Sequence, residues 1–599
     1  MKAIAFAALT TAILASTASP SAHAVSLLET LVLPTWFGPT FDPADSEVPR
    51  RRPGHPLERK TVRPSDPDRV APAAVDQVGE IIPVPDRWRI MEALGQNHPW
   101  YDPYNQNLLK ADKPIHGGDW FLSLVGVSDT IIEPRSIPVP VAPVSSREPG
   151  DLDIFGKGDI TIFAQTFLAG LVYYKGNTTF KPPDWEYRLT LGFQYNRVDA
   201  REDRLLQVDQ RKGNVRDDGY MGLQELFVDR HLRDVSDRYD FDSIRVGIQP
   251  FSSDFRGFLF QDNQLGVRLF GNRNNNIWQY NLAWFRRMEK DTNSGLNSIT
   301  RKVRDDDVFI ANVYHQDFPS LGFTSQATII YNRNREDDRN YFNTNDFLER
   351  PGSIGTERLR QYDVVYFGLN GDGRIGTYNL TTSAYLALGE QTPGVFVDDK
   401  TDIRAGFAAA ELSRDFDWIR VRLSALWASG DSDPYDDRST GFDAIFENPI
   451  FAGADTSYYI RQNVPLIGGG GVALSGRNGI LNSLRPSKEE GQSNFDNPGT
   501  RLLGVGADLD LTPESRVSFN LNQIWFDDTA IVEAARNQRP IDRSIGQDLS
   551  VSWIWRPFMS QNIVMRLSAA GLRPGSGYAD LYGSGDWQYT VLGNLILTY

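Results

Sequence analysis

The chain has 599 residues, no cysteine and a formal net charge of -15 at pH 7. The lack of cysteine excludes disulfide bonds and cysteine-ligated metal or haem centres, and the acidic balance argues against nucleic acid as a partner. Hydrophobic residues make up only 40% of the chain. Beyond the N-terminus there is no apolar run of about 18 residues, the length that a membrane-spanning helix needs.

The N-terminus predicts export from the cytoplasm. Lys2 precedes a largely apolar run over residues 3–15, and small residues then end in Ala22-His23-Ala24. A positive charge, a short apolar core and an Ala-x-Ala ending are the parts of a secretory signal peptide. We therefore expect residues 1–24 to be a signal peptide that is removed on export.

Residues 25–117 predict a periplasmic N-terminal extension. The first part is rich in Pro, Arg, Asp and Glu, which bury too little apolar surface to offset chain ordering, so we expect it to be disordered or extended. The three consecutive arginines at residues 50–52 are either solvated or form a docking site for an envelope partner. A short helix with Asp86 as its N-cap is expected over residues 86–94. The aromatic-rich residues 98–115 form either an irregular entry to the next element or a small plug.

From Asp119 onward the chain repeats one unit, a stretch of about ten to fifteen residues with period-two alternation followed by a turn. The repeat predicts about eighteen strands, with sixteen to eighteen as the approximate range. The predicted strands lie near residues 119–131, 159–174, 184–198, 219–230, 239–249, 263–272, 276–288, 306–316, 321–334, 361–371, 375–389, 402–414, 418–429, 501–512, 515–527, 546–556, 561–572 and 587–599.

The connections between these strands alternate between short and long. Membrane barrels have short periplasmic turns and long external loops, so the alternation predicts an all-β fold, a transmembrane antiparallel up-and-down β-barrel over residues 118–599. We expect the chain to enter the first strand and to leave the last strand on the periplasmic side, which requires an even number of strands. The predicted external loops are residues 132–158, 200–218, 250–262, 289–305, 335–360, 391–401, 430–500, 528–545 and 573–586.

Individual strands separate a lipid face from an interior face. In residues 418–430, Arg420 and Arg422 alternate with apolar residues, and an arginine facing lipid at the midplane costs about 2–4 kcal/mol, so we expect these two to face the interior. Tryptophans near predicted strand ends predict aromatic bands at both membrane interfaces. These are Trp185, Trp278, Trp418, Trp427, Trp525, Trp555 and Trp587.

The last predicted strand, WQYTVLGNLILTY at residues 587–599, has one apolar face and ends on Tyr599. It resembles the C-terminal signature of bacterial outer-membrane β-barrel proteins, with Tyr in place of the commoner Phe. The predicted architecture is similar to large porins and to the alginate-export family. Residues 244–272 loosely resemble a strand and loop of such families, with Gly247-Ile248-Gln249 where those have Gly-Arg-Gln. The resemblance implies the outer membrane of a Gram-negative bacterium, and closure of the barrel requires this strand to pair with residues 119–131.

Charged residues on the polar strand faces are the candidate pore-lining residues. Arginine keeps its charge and binds carboxylate or phosphate through paired donors, so such a lumen selects anions or polar solutes. The alternative is that these arginines and acids pair with each other and stiffen the wall. The candidates are Arg188, Arg245, Arg268, Arg404, Arg420, Arg422, Arg566, Glu225, Asp508 and Asp510, with Asp229 and Glu411 as further inward acids.

The connection at residues 430–500 exceeds the length of an ordinary surface loop. Its apolar stretch FDAIFENPIFAG predicts that it folds inward and narrows the pore, and the alternative is a surface loop that contacts a partner. Acid clusters at residues 305–307, 336–338 and 431–437 lack the spacing of a calcium loop and are interpreted as solvated, with cation binding as the alternative.

No enzyme motif is present: the sequence lacks G-x-S-x-G, H-E-x-x-H and a phosphate-binding glycine loop. We therefore expect no catalytic residues, no cofactor and no metal site. The first functional hypothesis is a porin-like channel for diffusion or export of polar, anionic solutes or polymer. The alternative is a scaffold barrel that anchors a periplasmic or surface partner. The expected partners are outer-membrane lipid, lipopolysaccharide and the solute, with a periplasmic partner of the N-terminal segment left open.

Overall fold

The computed structural model describes residues 87–599 except 97, 103–106, 117, 139–155, 177–181, 239, 463–465, 467–476 and 584. The predicted signal peptide and residues 25–86 of the predicted extension lie outside the described residues. The predicted short helix is confirmed as α1, Arg87–Ala93.

A single antiparallel sheet dominates the described chain. Nineteen strands share it, and all except the two-residue strand Arg438–Ser439 form the barrel wall, which leaves eighteen. In chain order, β1 to β18 are Trp120–Ser136, Gly156–Lys175, Trp185–Glu202, Val215–Asp234, Phe241–Ser252, Gln261–Arg273, Trp278–Arg286, Asp306–His315, Phe323–Asn334, Gln361–Ile375, Tyr378–Thr392, Thr401–Phe416, Ile419–Ala428, Thr500–Thr512, Ser515–Trp525, Ser544–Trp555, Ile563–Pro574 and Gln588–Thr598.

The sheet closes on itself. Each strand pairs with the next one along the chain, and β18 pairs with β1 from Val127↔Thr598 to Arg135↔Thr590. The prediction that the last strand neighbours the first is therefore confirmed, and so are the predicted strand count and fold class. Closure removes the unpaired edges that an open sheet exposes.

Short and long connections lie at opposite ends of the barrel, as the sequence predicts. At the end that holds Trp120 and Thr598 the connections have nine residues or fewer, and at the opposite end they have eight or more, up to the loop between Ala428 and Thr500. The longer loops carry short helices, namely α2 (Tyr458–Arg461), α3 (Ala530–Arg536) and α4 (Ser576–Tyr582), and a small hairpin of Tyr341–Phe342 with Leu348–Arg350.

The outer surface of the wall is apolar between two bands of tryptophan. Large aliphatic and aromatic side chains such as Phe193, Leu423 and Leu503 alternate with interior residues and are exposed on the outside. The predicted tryptophans lie within one residue of a strand end, at both ends of the barrel. An apolar outer band between aromatic girdles is the surface of a transmembrane barrel. Among the described residues, no helix is long and apolar enough to cross a membrane.

Residues 107–116 lie along the beginning of β1 as an irregular entry to the barrel. Leu124 donates its backbone N–H to Leu109 O at 2.7 Å, and Ala111 donates to Leu122 O at 2.9 Å. Lys110 Nζ lies 3.8 Å from the centre of the Tyr599 ring. This segment therefore ties the chain before the barrel to both the first and the last strand.

Candidate solute pathway through the barrel

The long loop between β13 and β14 folds into the barrel, as predicted, and crosses its interior. Its helix α2 is held against β16, where Ser457 Oγ donates to Asp548 Oδ2 at 2.7 Å. Tyr459 donates its backbone N–H to the same carboxylate at 2.5 Å, and Tyr458 donates its hydroxyl to Ser136 O at 2.8 Å. Tyr458 is completely buried, so this arm fills space next to β1 and β16.

The returning arm of the same loop is fixed by buried ion pairs. Arg485 pairs with Asp443 at 2.6 Å, and Lys488 pairs with Glu447 at 2.6 Å. Burial opposes ionisation of Glu447, but Lys488 and Arg485 outweigh it and hold the pKa of this carboxyl down to about 2. Removing either partner of a buried pair leaves an uncompensated charge, so these contacts make the inward fold specific.

A second loop, residues 253–260, also enters the barrel. Asp254 Oδ1 accepts the backbone N–H groups of Arg256, Gly257 and Phe258 at 3.0, 2.6 and 3.0 Å. A carboxylate that accepts several backbone donors fixes a tight turn. The turn places Arg256 Nη2 3.3 Å from Glu411 Oε1 on β12. The two inward loops therefore meet on the wall around β12 and leave a narrowed interior.

All but one of the predicted pore-lining residues lie on the inner face, and most form ion pairs. Arg268 instead donates to Asn281 Oδ1 at 2.7 Å, and Glu225 accepts from Thr190 Oγ1 at 2.7 Å. This pattern agrees with the alternative that the interior charges pair with one another. The pairs are Arg188–Glu186 at 2.7 Å, Arg245–Asp229 at 2.8 Å, Arg420–Asp415 at 2.5 Å, Arg422–Asp508 at 2.8 Å, Arg566–Asp455 at 2.6 Å and Arg516–Asp510 at 2.6 Å.

Arg404 is the exception, and its predicted interior position is wrong. It lies on the outer face of β12, pairs with Asp402 at 3.2 Å and has a side chain that is 58% exposed. The interior positions nearest to Arg404 on this strand are Ile403, Ala405 and Phe407, which are buried. They are apolar because the inward loops pack on them, and Arg404 avoids the cost of facing lipid because it lies at the loop end of the wall.

Five arginines form an arc on the inner wall near the end that holds Trp120 and Thr598. They come from β13, β15, β17 and the turn that follows β16, and we call them the arginine arc. Sequence reasoning missed Arg516 and Arg556, although both fall on the interior register of their strands. The members are Arg420, Arg422, Arg516, Arg556 and Arg566.

The arc carries more cationic than anionic groups. Asp415, Asp508, Asp510 and Asp455 pair with four of the arginines. Arg556 donates instead to a neutral amide, Gln561 Oε1, at 3.2 Å. Arginines held by carboxylates on one side still present further N–H donors to a passing solute. Elsewhere, no group of three or more His, Cys, Asp or Glu residues in the described part of the chain is arranged to hold a metal ion.

Comparisons with known proteins return structural neighbours only; no family model and no curated protein matches the sequence. Pseudomonas aeruginosa OccK9 (OpdG) is similar with 12% identity over 80% of this chain and 98% of its own, at a TM-score of 0.44. Acinetobacter baumannii OccAB3 is 10% identical over 80% and 99%, with a TM-score of 0.44. P. aeruginosa OccK2 (OpdF), solved in complex with glucuronate, is 12% identical over 80% and 97%, with a TM-score of 0.41.

The strand pairing and the two faces of the wall establish the class of protein. A closed eighteen-strand ring with an apolar exterior, a charged interior and inward-folded external loops is the form of a bacterial outer-membrane barrel. The chain is therefore an outer-membrane β-barrel.

Proposed function

We propose that the protein is a passive outer-membrane channel for small polar, anionic solutes. The observation that carries the proposal is the arginine arc, which faces the interior of a closed barrel beside the inward loops. Guanidinium groups there attract carboxylate and phosphate groups, and a lumen narrowed by loops strengthens that attraction because less water screens it. Two loops inside the barrel favour small solutes over a polymer.

Ion selectivity tests the proposal directly. In a planar bilayer with a potassium chloride gradient, the purified protein is expected to give a reversal potential on the anion-selective side. Replacing Arg420 and Arg422 together with alanine should move that potential towards the cation-selective side, since Asp415 and Asp508 would lose their partners. Glucuronate, the ligand in one of the structural neighbours, is a suitable test anion for block of the current.

Arg404→Ala is the matched control, because it removes an aspartate-paired arginine from the outer face. It should leave the reversal potential unchanged. Equal selectivity in the double variant and the wild type, together with a lower melting temperature, would assign the arc to wall stiffening alone. If neither the wild type nor a variant with the interior loop shortened conducts, the scaffold alternative replaces the channel.

A further inference from the structure

The outer wall carries a groove that the channel function does not use. It lies on the lipid-facing side of β12 to β15 and has a cavity volume of about 600 Å³. Its floor is formed by the small side chains of Ala408, Ala410 and Ala425, and Trp427 and Trp525 stand at its loop end. The neighbouring lipid-facing positions carry large residues, so this recess is a local departure from a filled outer surface.

Trp427 is turned away from the groove floor. A Cβ atom at Gly406 would lie 3.0 Å from Cη2 of Trp427, so the indole ring lies over this glycine. Trp427 Nε1 also donates to Asp527 Oδ1 at 3.1 Å. These two contacts fix the ring on the rim and keep the space above the alanines open.

Two arginines line the groove at its loop end, where the outer leaflet has its headgroups. Arg501 pairs with Asp527 at 2.6 Å, and Arg543 pairs with Asp528 at 2.8 Å. The side chains of Arg501 and Arg543 are 52% and 53% exposed, whereas those of Asp527 and Asp528 are 14% and 23% exposed. The carboxylates therefore lie behind the guanidinium groups, and the face presented to the headgroup region is cationic.

We propose that this groove binds one phosphorylated glycolipid of the outer leaflet. An acyl chain occupies the recess over Ala408, Ala410 and Ala425, because an apolar cavity in a lipid-facing surface is filled at no desolvation cost by a hydrocarbon chain. The headgroup phosphate lies against Arg501 and Arg543, whose remaining N–H donors suit its oxygens. The aspartates hold both guanidinium groups in place for it.

Native mass spectrometry of the full barrel in detergent, with added lipid A that bears two phosphates, tests the proposal. We expect a one-to-one adduct with the wild type, and weaker adducts with dephosphorylated lipid A and with phosphatidylethanolamine. Arg501→Gln with Arg543→Gln should weaken the adduct by about tenfold, the effect of about 1.4 kcal/mol from lost charge-assisted hydrogen bonds. Ala425→Leu should reduce it by filling the recess while leaving the arginines intact.

Two control variants match these changes outside the groove. Arg404→Gln removes an exposed, aspartate-paired arginine on the same outer face, and Ala569→Leu enlarges an outward alanine on β17; neither should change the adduct. Equal adducts with phosphorylated and dephosphorylated lipid, or an unchanged adduct in both the arginine and the Ala425 variants, would overturn the proposal. A smaller oligomer in Ala425→Leu would also overturn it, because it would assign the groove to a second copy of the chain.

Discussion

We expect two buried carboxyl groups in the external loops, Glu349 and Glu490, to make the stability of the protein depend on pH. Glu349 lies in the hairpin of residues 341–350 and accepts a hydrogen bond from Asn343 Nδ2 at 2.6 Å. Burial and then the neighbouring Glu490 raise the pKa of Glu349 from 4.5 to about 8. Burial also raises the pKa of Glu490, to about 7. At neutral pH, these two carboxyl groups together therefore carry less negative charge than two exposed carboxyl groups do.

The sign of the pH effect follows from the protons bound. The folded chain keeps a proton on Glu349 that the unfolded chain releases above pH 4.5, so stability is full below that pH and falls as the pH rises towards about 8. We predict a higher melting temperature at about pH 5.5 than at about pH 8. Glu349→Gln should raise the melting temperature at the higher pH and flatten its pH dependence.

The control is Glu357→Gln, which changes an exposed residue of the same loop. It should leave the pH dependence of the melting temperature as it is in the wild type. A wild-type slope in the Glu349 variant would show that this carboxyl is ionised in the folded chain.

Two glycines of β4, Gly222 and Gly219, differ in how closely other atoms pack against them. A Cβ atom at Gly222 would lie 2.6 Å from Asn297 O and 2.9 Å from Leu296 Cβ, in the loop between β7 and β8. At Gly219 the nearest atom would be Gln194 O at 3.9 Å. Because Gly222 allows that loop to lie against the inner wall, Gly222→Ala should destabilise the protein by about 1–3 kcal/mol through overpacking.

Gly219→Ala should change the free energy of unfolding by no more than about 0.5 kcal/mol. Urea unfolding from detergent or bilayers measures both changes. Equal losses in the two variants would mean that strand propensity, and not the seating of this loop, requires the glycines.

At the scale of the element, the loop between β13 and β14 is the main obstacle in the barrel. Asp431 donates its backbone N–H to Asn497 O at 2.8 Å, so the two ends of the loop meet at its root. The strands on either side pair directly, with Ala428 opposite Thr500. Replacing residues 432–496 with a short Gly-Ser linker should therefore preserve the strand ring and raise the single-channel conductance several-fold.

The control for this deletion changes only two exposed side chains near the start of the loop, with Asp436→Gly and Asp437→Gly. Its conductance should equal that of the wild type. If the shortened variant folds and conducts no better than the wild type, a different element sets the constriction.

The strands could be predicted from the sequence because every outward position that faces lipid must be apolar, and apolar and polar residues alternate wherever the interior is polar. The alternation is lost, and the inner and outer faces are misassigned, where inward loops fill the interior. Around Arg404 the inner positions are apolar because the inward loops cover them, which makes this strand look inverted. Some partners of interior charges could not be predicted either, since pairs such as Arg566–Asp455 join a strand to a residue of the inward loop distant in sequence.

At the scale of the whole molecule, ring closure and the filled interior support each other. The ring gives every strand two partners and fixes the diameter, and the inward loops bridge walls that the ring holds apart, as when Arg461 of α2 pairs with Glu133 of β1 at 2.5 Å. The contacts that α2 makes with β1 and with β16 persist only while both strands stay in the ring. Opening the seam between β1 and β18 would therefore expose strand edges and loosen the loops together.

The seam can be tested covalently because the natural chain has no cysteine. Ser128 on β1 lies opposite Leu597 on β18, and the Cα atoms of facing residues in an antiparallel pair are close enough for a disulfide bond. Ser128→Cys with Leu597→Cys should form that bond on mild oxidation, as seen by peptide mass mapping. The oxidised barrel should resist heat unfolding better than the reduced one and keep the wild-type conductance, because both side chains point away from the lumen.

Ser128→Cys with Val591→Cys is the control. Val591 lies on the same face of β18 but six residues further along, about 20 Å away at the rise of an extended strand, so no bond should form. Crosslinking in the control as readily as in the facing pair would mean that the two strands slide or separate. Failure of the facing pair to crosslink would mean that the ring is open between β1 and β18. The closed barrel, on which the channel and the contacts of the inward loops depend, would then be wrong.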